Sequence, residues 1–217
     1  MSITPGFASV VLDVDSTLCG IEGIDWLADR CGPSVGRAVT AFTSQAMRGE
    51  IPLDRVYGAR LALVRPTVAD VGALGDAYIA ALAPGAPAAI TRLQRASRHV
   101  VLVSGGLRDA ILPVARHLGI PDASVHGVGL RRDASGRFLG HDDASPLARA
   151  GGKPQVVRAL GLPVRILAVG DGATDVEMRG AADAFAAFTG FVVRPPVVAA
   201  ADTVLSSFDQ LAELVLG

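Results

Sequence analysis

Four short stretches of this sequence carry residue types that chemistry needs and packing does not. An apolar run, Ser9-Val10-Val11-Leu12, ends in Asp13-Val14-Asp15-Ser16-Thr17. A second, Val100 to Val103, ends in Ser104-Gly105-Gly106. A third, from Val164, ends in Asp171-Gly172, with Asp175 close behind, and Gly151-Gly152 leads into Lys153. Singly, each has a bland reading: D-x-D as a helix cap, Ser-Gly-Gly as a turn, Gly-Asp-Gly as a loop. Together they bring four carboxylates, a hydroxyl and an ammonium to the ends of apolar runs, for which core packing gives no reason. Lys153 stands out by number as well, since the other nineteen of the twenty basic residues are Arg. An ammonium is a compact point charge, whereas a guanidinium is a broad planar fork.

The chemistry that fits is phosphoryl transfer. Facing carboxylates repel unless a cation lies between them, and Mg²⁺ takes one or two carboxylates, carbonyls and water. Asp13, Asp171 and the backbone carbonyl of Asp15 would hold it. With the metal and Lys153 neutralising the phosphate, one Asp13 oxygen can act as nucleophile. Asp15, two residues on along an extended chain, suits the general acid that protonates the leaving alcohol and later activates water. Ser104 and the neighbouring backbone N–H groups would hydrogen-bond the transferring oxygens. Asp175 would orient Lys153 or a metal-bound water.

These residues need a scaffold that gathers them. The apolar run 9–14 reads as a buried parallel strand. From Ile21 to about Ala83 the period turns helical, punctuated at Gly32-Pro33, Ile51-Pro52 and Arg65-Pro66. An alternating order follows: helix 87–97, strand 99–106, helix 108–120, a hairpin over 125–140 turning at 133–136, helix 151–162, strand 164–172, helix 174–182. Short strands near 184–188 and 202–205 precede a last helix at 208–216. Such alternation predicts an α/β fold, a doubly wound, mostly parallel sheet, whose ligands bind beyond the carboxyl ends of the strands. The expected division is a core of 1–20 and 84–217 with a helical cap inserted at 21–83.

Composition narrows the partners. Half of the 217 residues are hydrophobic and 19% are charged, as in a globular protein. A formal charge of −1 gives no case for nucleic acid or an anionic membrane. No run approaches the length of a spanning helix. The N-terminus lacks the basic start of a signal peptide, and two cysteines without a C-x-x-C make no disulfide framework. The expectation is a cytoplasmic enzyme, monomer or homodimer, acting on a small molecule.

In order, DVDST (13–17), SGG (104–106), GGK (151–153) and GDGATD (170–175) resemble the four motifs of the haloacid dehalogenase superfamily. DVDSTLCGIEGIDWLA, AMRGEIPLDRVYGARLALVRP and LVSGGLRD are similar, more narrowly, to the phosphoserine phosphatases. That resemblance implies a Rossmann-type core, Mg²⁺, a phospho-aspartate intermediate and O-phospho-L-serine as substrate. It implies Glu22 for the substrate ammonium and Arg60 for its carboxylate. Met47 would pack on the amino acid, Gly105 on the phosphate, and Thr174 would lie close by. A zwitterion does need one buried anion and one buried cation, and Arg grips carboxylates bidentately. Glu22 also reads as a first-turn carboxylate, Arg60 as a surface charge and Met47 as core filler. Two positions depart from the usual pattern: Arg48, where Gly often follows the Met, and Thr174, where many members carry Asn.

Two other functions fit parts of the pattern. A phosphatase for another small monoester, such as phosphohomoserine or a sugar phosphate, would share the catalytic residues. A receiver domain also clusters Asp, Ser/Thr, Lys and Mg²⁺ and signals through phospho-aspartate. Receivers, however, are much shorter and have no inserted helices.

Overall fold

A run that is apolar on both faces, but for a residue whose hydroxyl is bonded to backbone, belongs inside a sheet. β1 (Ser9–Leu12) is such a run, and it is fully buried. It pairs in parallel with β2 (His99–Leu107) on one side, in the register Ser9 to His99 and Leu12 to Leu102. β3 (Val125–Val128) lies outside β2. A separate antiparallel ribbon joins β4 (Leu130–Arg132) to β5 (Phe138–His141). On its other side β1 pairs with β6 (Ile166–Gly170), Ser9 opposite Ile166 and Leu12 opposite Val169. β7 (Ala184–Phe188) and β8 (Thr203–Leu205) complete the parallel sheet, whose order is β3-β2-β1-β6-β7-β8. The computed structural model describes residues 4–47, 51 and 53–217.

Four helices follow β1: α1 (Gly23–Arg30), α2 (Pro33–Met47), α3 (Leu53–Val64) and α4 (Val68–Ala80). The last has a full capping box. Thr67 Oγ1 accepts from the Asp70 N–H while the Asp70 carboxylate accepts from the Thr67 N–H, so two orphan amides are satisfied. α5 (Ala86–Arg95) and α6 (Arg108–His117) flank β2, and α7 (Gly152–Ala159) precedes β6. The remaining helices are α8 (Ala173–Val176), α9 (Pro195–Ala200) and α10 (Phe208–Leu216). α4 packs on α6, α10 on α5, and α3 on β5. Among the described residues no helix is long and apolar enough to cross a membrane.

Three local expectations are corrected. The hairpin expected over 125–140 begins only at Leu130; Val125–Val128 is the sheet's edge strand, and a single residue, Gly129, separates it from the ribbon. The helix expected over 174–182 loses its α geometry at Glu177 and continues as a 3₁₀ turn to Gly180. Residues 195–200, with Pro195 and Pro196 at their start, form a helix that the alternation does not announce. Proline is tolerated in a first turn, whose N–H groups have no partner within the helix.

Candidate active site

The parallel register brings three strand ends to one edge. Asp13 follows β1 directly, and its backbone N–H donates to Val169 of β6 at 3.0 Å, which aligns it with Asp171 just past that strand. Ser104, Gly105 and Gly106 lie within the C-terminal part of β2. Lys153 lies in the first turn of α7, and the chain reaches that point only because Gly152 has no side chain: a Cβ there would lie 1.8 Å from the Pro146 carbonyl oxygen. Gly170 does the same for Asp175, whose Cγ would be 2.2 Å from a Cβ.

The result is a buried charge cluster. Lys153 Nζ donates to Asp13 Oδ1 and to Asp175 Oδ1, both at 2.5 Å. Asp175 also accepts from the Gly172 N–H at 2.8 Å. Burial works against the charge on Lys153, but attraction to Asp13 and Asp175 outweighs it and holds the ammonium protonated. For Asp13 the balance runs the other way. Burial first, then repulsion by Asp175, raises its carboxyl well above the usual range despite Lys153. Burial raises Asp171 too, against the pull of Arg194. Asp13, Asp171 and Asp175 each offer a carboxylate oxygen within 4.8 Å of the others. Buried, mutually repelling oxygen donors of this kind fit a hard cation. The carboxylate of Asp15 stands outside this trio.

Asp15 is held instead from the helical side. Its Oδ1 accepts from the Tyr78 hydroxyl of α4 at 2.6 Å and from the Gly23 N–H of α1 at 2.8 Å. Burial raises its carboxyl, and those two donors pull it back. Ser16, in the left-handed region at φ 53°, turns the chain, and its hydroxyl donates to Glu22 Oε1 at 2.8 Å. Thr17 Oγ1 donates to Asp171 Oδ1 at 3.1 Å.

These groups face a cavity of about 760 Å³ whose wall includes Asp13, Lys153, Glu22, Arg60, Gly105 and Thr174. Arg60 Nη2 pairs with Asp25 Oδ2 at 2.5 Å, while its buried Nε has no hydrogen-bond partner among the described residues. A buried, unpartnered donor at a cavity wall is a place for an anion. Glu22 keeps 47% of its side chain exposed. Desolvation, then the charge of Asp15, pushes its carboxyl up to about 7. Ser104, fully buried, lies behind this wall, and its Oγ accepts from the Gly106 N–H at 2.9 Å. Met47 closes α2, but its side chain and all of Arg48 lie outside the described residues.

Four further residues at the site were given no role by the sequence. Arg194, just before α9, donates Nε to Asp171 Oδ2 at 2.9 Å, and its Nη2 stands 3.6 Å from Glu22 Oε1. Asp25 holds Arg60, Tyr78 holds Asp15, and Tyr57 of α3 donates to the Gly105 carbonyl at 2.8 Å. The count that singles out Lys153 would have found the tyrosines, because the chain has only two and both bring their hydroxyls here.

A sequence profile of the haloacid dehalogenase-like hydrolases matches residues 7–183. The chloroplastic phosphoserine phosphatase of Arabidopsis thaliana is 40% identical over 208 residues, which cover 94% of this chain and 70% of that protein. The phosphoserine phosphatase of Bos taurus is 39% identical over 206 residues, covering 94% and 91%. Among solved structures, a phosphoserine phosphohydrolase-like protein from Francisella tularensis shares the fold with a TM-score of 0.84 at 24% identity, over 96% of this chain and 99% of that one.

Proposed function

The chain belongs to the haloacid dehalogenase-like hydrolases, among the phosphoserine phosphatases, and on that premise we propose that it hydrolyses O-phospho-L-serine to L-serine and phosphate through Asp13. The observation that carries the reading is the presence of two different sets of groups on the wall of one cavity. Asp13 and Lys153 suit a phosphate, and Arg60, whose Nε has no partner among the described residues, with Glu22 on the same cavity wall, suits an amino acid. A receiver domain has no use for the second set.

The acidic trio fits Mg²⁺, with Asp13 and Asp171 as ligands and Asp175 beside them. When bound, it would neutralise the phosphoryl oxygens so that a carboxylate can approach phosphorus. The rest is the work of the chain. Asp13 Oδ1 is engaged by Lys153, and among the described residues no hydrogen bond reaches Oδ2, which is left for attack. As the Asp13–phosphorus bond forms, the bond from phosphorus to the seryl oxygen breaks. Asp15, whose burial favours the protonated form, gives its proton to that oxygen. The Asp15 carboxylate then takes a proton from a water whose oxygen attacks phosphorus, which releases phosphate and restores Asp13. Lys153 holds Asp13 in place throughout and offsets charge on the phosphoryl group. Gly105 and Thr174 border the phosphate, with Ser104 behind Gly105.

Arg60, fixed by Asp25, meets the substrate carboxylate, and Glu22 its ammonium. Helices α1–α4, within 21–83, act as the cap that carries these recognition groups. α4 anchors the cap to the core through its packing on α6 and the bond from Tyr78 to Asp15. The test is a set of monoesters with Mg²⁺. Phosphoserine should exceed phosphoethanolamine, which lacks the carboxylate, and phosphoglycerate, which lacks the ammonium. Equal kcat/KM on all three would remove the amino-acid reading, and no phosphate release from any would remove the phosphatase reading.

A further inference from the structure

Two glycines in succession make the least restrained backbone that the end of a strand can have, and the register of β2 against β3 shifts here, between Val103 and Leu107. Gly105-Gly106 nevertheless faces the cavity with its connecting peptide held from both sides. The Gly105 carbonyl accepts from the Tyr57 hydroxyl at 2.8 Å, and the Gly106 N–H donates to Ser104 Oγ at 2.9 Å. In a trans peptide the C=O and N–H point in opposite directions, so the two bonds fix one plane by its two edges. One holder, Ser104, belongs to the same strand. The other comes from α3, 48 residues away in sequence.

Tyr57 is built to stay in place without that bond. Its side chain is buried, and its ring meets the edge of His141 on β5 with centroids 5.1 Å apart at 63°. Burial raises the phenol, then the charge of Asp15 raises it further, so the hydroxyl keeps the proton it donates. One helical turn later α3 carries Arg60, which faces the same cavity.

We propose that Tyr57 is a positioning residue that fixes the Gly105–Gly106 peptide. The phosphate-facing end of β2 then takes its working shape only while α3 lies over it, and cap placement and the geometry of that segment become one event. The kinetic part of this inference rests on the phosphatase reading; the structural part does not.

Tyr57→Phe removes the hydroxyl and keeps the ring against His141. In the substrate-free protein, amide hydrogen exchange at Gly106 should quicken at least about fivefold with the thermal midpoint nearly unchanged, as loss of one hydrogen bond implies. kcat should fall roughly tenfold with little change in KM, by the same factor for phosphoserine and phosphoethanolamine. In a Ser104→Ala background the factor should shrink toward one, because the peptide is already released on its other edge. Unchanged exchange at Gly106 would overturn the proposal, as would an undiminished effect in that background. So would a loss confined to esters with a carboxylate, which would make Tyr57 a support for Arg60. If the wild-type protein released no phosphate at all, the proposed function would fail while the exchange measurement still judged the clamp.

Discussion

The Tyr78 hydroxyl donates to Asp15 Oδ1 at 2.6 Å, a bond from the fourth helix to the proposed general acid. A hydrogen bond to the ionised form lowers a carboxyl's pKa, and Tyr78 does so against the larger raising effect of burial.

Tyr78→Phe should therefore raise the pKa of Asp15. Dephosphorylation of Asp13 needs the Asp15 carboxylate, so the acid limb of its pH profile should move to higher pH. A bond to a charged group contributes about 1.5–3 kcal/mol, which corresponds to roughly ten- to a hundredfold in that step at a pH on the limb. Rapid-quench measurement of the phosphoenzyme across pH reads this directly. An unmoved limb would leave Tyr78 as packing alone.

Lys153 sits between two buried carboxylates at 2.5 Å from each. Lys153→Arg keeps the charge but presents a planar fork where the space is shaped for a point. A displacement of about 1 Å at such a site can cost on the order of a hundredfold. The loss is expected in kcat, with the circular dichroism spectrum retained. Near-normal turnover would place Lys153 outside the reaction.

Glu22 has its carboxyl raised to about 7, so it is neutral below that pH and charged above. For phosphoserine, kcat/KM should rise through pH 7 by a component that phosphoglycerate, without an ammonium, does not share. Glu22→Gln should abolish that component and lower kcat/KM for phosphoserine at pH 8 by about 2 kcal/mol. That is the low end for a charge pair, since Glu22 is half in water. Identical profiles for the two esters would assign Glu22 to the helix start.

Arg194 places a guanidinium on Asp171 Oδ2 at 2.9 Å, so a divalent cation at Asp171 must displace it or bear its repulsion. Arg194→Gln should tighten Mg²⁺ binding in the absence of substrate, roughly tenfold, as titration calorimetry would register. Weaker binding would mean instead that Arg194 orders Asp171 as a ligand.

What the sequence disclosed follows a physical divide. Strands β1, β2, β6 and β7 are apolar runs too uniform for anything but the inside of a sheet, and polar residues at their ends had to meet at one edge. Asp13 and Asp171 were therefore visible, and Lys153 stood out as the one lysine among twenty basic residues. β3 was not, because Gly129 alone separates Val125–Val128 from the ribbon and the period continues across it. α9 was hidden behind two prolines that fit a first turn as well as a loop. Asp25 and Arg194 are ordinary charges on a helix and a loop until tertiary contact assigns them, Asp25 to Arg60 across 35 residues and Arg194 to Asp171 across 23. Tyr57 and Tyr78 sit on apolar helix faces, where periodicity reads only the ring. Local pattern reports which face is buried and is blind to what a polar tip touches there.

The central place of β1 also bears on how the protein is made. Its two sheet partners begin at His99 and Ile166, so Asp13, made before either of them, is seated only after both exist. A ribosome adding about 5–20 residues per second exposes Asp13 for many seconds before β6 exists. Until then neither Lys153 nor Asp171 can stand beside it. The acidic cluster therefore cannot assemble piecemeal: it waits for the segment that carries Asp171, however early Asp13 leaves the ribosome.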